Sequence, residues 1–122
     1  MKRTLLETIE ILKKDYPDTP VLYKMYMDGE FRYTGIGGKG KRKGYLRLQE
    51  HYKATMPSSL KWKIIKEYIN KKYPGLIDEA EDYFNSSLHW EFEVGDIDYI
   101  KNKEKDLIQT HNPKYNIEFN NK

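Results

Sequence analysis

The chain has 122 residues, 38% apolar and 34% charged, with a net charge of +3, a balance that suits one globular domain spanning 1–122 around a single core. It contains no cysteine, which excludes disulfides, thiolate zinc sites and cysteine nucleophiles and fits an intracellular, cytoplasmic address. No apolar run approaches the roughly 20 residues of a membrane span, and Met1 to Lys14 mixes charged with apolar residues, unlike a secretory signal.

Thr4-Leu5-Leu6-Glu7 has the pattern of a capping box, and Leu5, Leu6, Ile9 and Leu12 form the apolar stripe of an N-terminal helix, residues 4–14, stopped by Pro17. Val21–Met27 and Glu30–Gly35 flank Asp28-Gly29, a hairpin signal. A glycine-lysine loop, Ile36–Gly44, follows. Tyr45–Met56 reads as a helix with Tyr45, Leu48 and Tyr52 on one side. Pro57-Ser58-Ser59 caps a helix over Leu60–Tyr73, ended by Pro74-Gly75, and a short acidic helix covers Leu76–Phe84. Leu88, Trp90, Phe92 and Val94 alternate with His89, Glu91 and Glu93, as in a half-buried strand. Ile97–Thr110 is the last helix, followed by Asn112-Pro113 and a polar tail. These elements predict an α/β (α+β) domain, a small antiparallel sheet with helices packed on it.

The hairpin has two possible registers. A two-residue loop, Asp28-Gly29, sets Tyr23 opposite Thr34 and leaves Tyr23 and Tyr33 on opposite faces. A three-residue loop, Met27-Asp28-Gly29, sets Tyr23 across from Tyr33. One face then carries Val21, Tyr23, Met25, Phe31, Tyr33 and Gly35. The second register separates apolar from polar residues more cleanly and is the one expected.

Charge is unevenly distributed. Lys39–Lys72 holds eleven Lys/Arg and two acids, Glu50 and Glu67, whereas Tyr73–Ile100 holds eight acids and no Lys or Arg. The asymmetry suits either a face for a polyanion or two blocks that interleave as solvated ion pairs. In the Gly-Lys loop, Lys39, Lys41, Arg42 and Lys43 offer charge and the glycines offer close backbone approach to phosphates, although the spacing is not that of a P-loop. Arg47 and His51 lie four apart on one helix face, where a guanidinium can grip a phosphate and an imidazole can relay or orient a proton. Glu104 falls on the inward stripe of the last helix with Ile100, Leu107 and Ile108, a costly place for a carboxylate unless it pairs with a cation such as Arg47 or holds a metal. Three histidines supply a multi-histidine cage poorly. His89 and His111 read as surface residues, and Glu91 and Glu93 as the wet side of a strand.

In order, these features resemble the landmarks of the GIY-YIG nuclease family. Val21-Leu22-Tyr23 stands where the family has Gly-Ile-Tyr, and Tyr33-Thr34-Gly35 where it has Tyr-Ile-Gly. Arg47 and His51 match Arg-x-x-x-His. Glu104-Lys105-Asp106-Leu107-Ile108 and Asn112-Pro113-Lys114-Tyr115-Asn116 match the closing Glu-x-x-Leu-Ile…Pro-x-x-Asn pattern. Val21 and Thr34 depart from the two triplets. The longer loop before Arg47 makes Arg42 an alternative for the arginine, and the stretch from His51 to Glu104 accommodates a helical insertion at about 57–84.

The resemblance implies a three-stranded antiparallel sheet flanked by helices and one Mg²⁺ or Mn²⁺ ion held chiefly by Glu104. It implies that Arg47 steadies charge on a phosphate, and that Tyr23, beside Tyr33, acts as general base or orients the attacking water. Nearby cations should lower the Tyr23 pKa, and His51 would pass the proton on or bond to Tyr23. Gly35 belongs to the site by the same match, and Asn116 would pin the final turn to the sheet. The implied activity is metal-dependent DNA endonuclease cleavage to 5′-phosphate and 3′-hydroxyl ends, by a monomer or by a homodimer on DNA. Two other readings fit the residues: a non-catalytic nucleic-acid-binding module, and a protein-interaction or inhibitor domain acting through the acidic segment Asp78–Asp98.

Overall fold

A computed structural model describes residues 2–56, 59–66 and 77–116. Helix α1 (Leu5–Asp15) opens on the expected capping box: the Thr4 hydroxyl accepts from the Glu7 amide, and the Glu7 carboxylate accepts from the Thr4 amide. Its inward stripe is Leu5, Thr8, Ile9 and Leu12, while Leu6, expected in that stripe, is exposed. Thr8 takes the inward place because its hydroxyl donates to the Thr4 carbonyl and so enters the core already satisfied.

Strands β1 (Val21–Met27), β2 (Glu30–Gly37) and β3 (His89–Val94) form an antiparallel sheet in the order β2-β1-β3. Its helices complete the mixed α/β architecture expected from the sequence. The hairpin register differs from the expected one. Asp28 (φ 53°) and Gly29 (φ 81°) are both left-handed, so the loop has two residues, and Met27 pairs with Glu30. A bulge then makes the register skip Arg32: Tyr26 pairs with Phe31 but Met25 with Tyr33. That extra residue returns Tyr33 to the face of Tyr23, diagonally rather than directly opposite, and Tyr23 faces Gly35. Phe31 falls on the other face, against Tyr26 and His111. Strand β2 also runs on through Ile36 and Gly37, which the sequence reading assigned to the loop.

One face of the sheet, with Val21, Tyr23, Met25, Met27 and Trp90, joins Leu5, Ile9 and Leu12 of α1 and Leu48 of α2 (Tyr45–Lys53) in a single core cluster. Helix α3 (Leu60–Ile64) and helix α4 (Ile77–Ser86) add Leu60, Ile64, Ala80 and Phe84 to it. Helix α5 (Ile97–His111) lies against β1 and β2 from the other side, where Leu22 and Ile100 are buried.

Helix α2 ends at Lys53, three residues earlier than expected. The Trp62 indole donates to the Ala54 carbonyl at 2.8 Å and the Lys61 ammonium to the Tyr52 carbonyl at 3.1 Å, so side chains of α3 satisfy carbonyls at the end of α2. Ser59 caps α3 as expected. Its predicted continuation to Tyr73 and the Pro57-Ser58 and Pro74-Gly75 signals lie outside the described residues. After Asn112 (φ 45°) ends α5, a helical turn at 114–116 buries Tyr115 and Asn116, so the tail begins later than expected. Among the described residues no helix is long and apolar enough to cross a membrane.

Candidate active site

The site begins with a glycine. Tyr23 and Gly35 are cross-strand partners, and a Cβ on Gly35 would collide with the Tyr23 ring and hydroxyl. Glycine there lets the phenol lie flat across β2. Tyr33, two residues back, sits beside it with ring centroids 6.3 Å apart. Helix α2 turns His51 inward to meet both rings edge-on, at 5.7 and 5.8 Å. Tyr23 Oη and His51 Nε2 are 2.9 Å apart in the interior, where Tyr23 is 1% and His51 3% exposed.

Burial sets the charge state of that pair. Desolvation, with the Arg47 charge nearby, lowers the His51 pKa to about 3, so the ring is neutral near pH 7. Tyr23 Oη and Nε2 thus meet as two neutral groups, and the ring's tautomer sets which of them donates. Burial also raises the Tyr23 pKa well above its usual 10, and the neighbouring Tyr33 adds to the rise. Arg47 pulls the other way, as expected, but is outweighed. Arg47 by itself does not bring about the expected lowering, because removing a phenolate from water costs more than one partly exposed guanidinium returns. Tyr33 is less enclosed: burial raises its pKa, while the charge of Arg47 and hydrogen bonding from it oppose the rise.

Glu104 projects from α5 one turn after the buried Ile100, and its charge acts on both phenols. Desolvation raises its own pKa, with the charge of Lys39 opposing. Arg47 does not pair with it. Arg47 Nη1 instead lies 3.7 Å from Glu50 Oε1, and Arg42 Nη2 lies 3.0 Å from the same oxygen. The two alternative arginines therefore share one carboxylate. Lys43 is paired to Asp18 at 2.8 Å, whereas no ion pair forms to Lys39 or Lys41 among the described residues.

Behind the site, Asn116 makes two 2.8 Å hydrogen bonds to the backbone of Thr34, accepting from its amide and donating to its carbonyl. The Thr34 hydroxyl donates to the Tyr23 carbonyl at 2.9 Å. Val21, the other departure from the triplets, is fully buried beside the Gly44 backbone.

Among the described residues no three His, Asp or Glu side chains gather to hold a metal. Glu104 is half-buried, with no cation at ion-pair distance among the described residues. One such carboxylate suits Mg²⁺, which keeps most of its waters and takes phosphate oxygens for the rest. The residues present fit that ion.

The resemblance led to Tyr23, Tyr33, Arg47, His51 and Glu104, and these converge. It did not lead to Glu50, whose only signal is its place three residues after Arg47. Comparison with protein-family models, with curated proteins and with solved structures returns no match for this chain.

Proposed function

We propose that this protein is a metal-dependent DNA endonuclease of the GIY-YIG type. The observation that supports it is the convergence of an internal Tyr23–His51 hydrogen bond, a second phenol, a guanidinium and an uncompensated carboxylate. A Mg²⁺ or Mn²⁺ ion on Glu104 would supply Lewis-acid stabilisation of the departing 3′-oxygen. Arg47 donates to a non-bridging phosphate oxygen and offsets the charge that grows there. Tyr23, hydrogen-bonded to His51, and the less enclosed Tyr33 beside it present phenol oxygens that accept from and aim the attacking water. Attack of that water forms a new P–O bond as the P–O3′ bond breaks. The water's proton passes to solvent and the departing 3′-oxygen takes one from solvent, leaving 5′-phosphate and 3′-hydroxyl ends. Lys39 and Lys41, on the loop after β2, hold neighbouring phosphates.

The test is nicking of supercoiled plasmid by the wild type, Glu104→Ala and Arg47→Ala in Mg²⁺ or Mn²⁺. Wild-type nicking that requires the metal and is lost in both variants is expected. Equal cutting by wild type and Glu104→Ala would overturn the assignment. DNA binding without cleavage in either metal would favour the non-catalytic module instead.

A further inference from the structure

Arg42 and Arg47 come from different elements, yet both reach Glu50 Oε1. An isolated surface ion pair of this kind contributes little, because holding two long side chains costs entropy. Here the roots of all three side chains are fixed. Arg47 and Glu50 stand one turn apart on α2. Arg42 stands on a loop pinned to the segment before β1: a Cβ on Gly44 would strike the Thr19 carbonyl, one on Gly38 would come 2.8 Å from Pro20 Cα, and Lys43 is held by Asp18. Without the carboxylate, two like charges would face each other and splay apart. With it, the trio carries one net positive charge, the complement of one phosphodiester.

We infer that Glu50 is a positioning residue that gathers Arg42 and Arg47 into a single two-guanidinium clamp on the scissile phosphate. The inference rests on the endonuclease reading and extends it: both arginines act, one on each non-bridging oxygen, and Glu50 aligns them without touching substrate. Its removal makes the site more positive but less ordered, so binding and turnover move in opposite directions. A merely structural role would not produce that split.

Steady-state nicking by the wild type, Glu50→Gln, Arg42→Ala and the Glu50→Gln/Arg42→Ala double variant tests this. For Glu50→Gln, kcat is expected to fall about tenfold, within the range that small misplacements cost. Its KM is expected to stay level or drop, and its melting temperature to stay within about 2 °C of wild type. In the Arg42→Ala background the same change is expected to cost kcat much less, because one member of the clamp is already gone. A wild-type kcat for Glu50→Gln, or a joint worsening of kcat, KM and melting temperature, overturns the clamp alone. Failure of the wild type to nick with either metal overturns the endonuclease reading, and the clamp with it.

Discussion

Glu104 and His51 each place an ionisable group where water is scarce, and each leaves a measurable trace. The folded-state pKa of Glu104 is raised, so its protonated form is the one folding favours. That preference is fully expressed below its unfolded pKa and is lost as pH rises through the folded value. At pH 7 the ionised carboxylate therefore weakens the metal-free fold. Glu104→Gln is expected to raise the melting temperature at pH 7 by about 2 °C while abolishing Mg²⁺-dependent nicking. A lower melting temperature in differential scanning calorimetry would contradict the assigned burial cost. For His51 the sign is reversed. Its folded pKa of about 3 lies below the unfolded 6.5, so its contribution is complete above pH 6.5 and drains away as pH falls toward 3. Glu7 and Glu91, also lowered on folding, act only below about 4.5. Between pH 6.5 and 5 the decline in wild-type stability should therefore be absent from His51→Gln, as read by thermal melts. Identical slopes would show that His51 is not buried in its neutral form.

Asn116 does for β2 what a fourth strand would otherwise do. Strand β2 lies at the edge of the sheet, and the Asn116 amide fills both open backbone positions at Thr34 with peptide-like hydrogen bonds. Asn116→Ala removes both and leaves two buried polar groups unpaired, for a loss of about 2–3 kcal/mol in chemical denaturation. A loss below about 0.5 kcal/mol would mean that water replaces the amide there without penalty. The hairpin shows how an element can be read correctly for the wrong reason. Its two strands and its turn were legible from Asp28-Gly29 and the flanking apolar residues, and Tyr23 and Tyr33 do share a face. They do so through a two-residue turn and a bulge at Arg32, not through a three-residue loop. A bulge shifts the alternation by one residue, so a two-residue turn with a bulge puts Tyr33 on the same face as a three-residue loop without one.

Across the molecule, few ion pairs among the described residues link the basic block to the acidic one. Among the described residues Lys61–Glu81 is the ion pair that joins them, and it is a packing feature, with Lys61 4% exposed. Cations of the loop after β2 pair instead with Asp18 and Glu50. Lys39 and Lys41 form no ion pair among the described residues, and on the proposed reading they meet the polyanion. Each lysine that neutralises a DNA phosphate adds nearly one unit to the slope of log affinity against log salt. Lys39→Ala/Lys41→Ala is thus expected to flatten that slope by about two units and to leave thermal stability unchanged. An unaltered slope in a fluorescence-anisotropy titration would place the DNA elsewhere.

Local chemistry was readable from residue order alone: the capping box at Thr4, the turn at Asp28-Gly29, the alternation into Trp90, and the inward Glu104. Each depends on neighbours within a few positions, where backbone geometry and hydrophobic period dominate. What distance in the chain concealed was decided by packing: the inward Thr8, the bulge at Arg32, burial strong enough to hold Tyr23 and His51 neutral, and one Glu50 oxygen shared by arginines from a loop and a helix. Desolvation and ion pairing depend on which surfaces meet in space, and no periodicity along the chain records that.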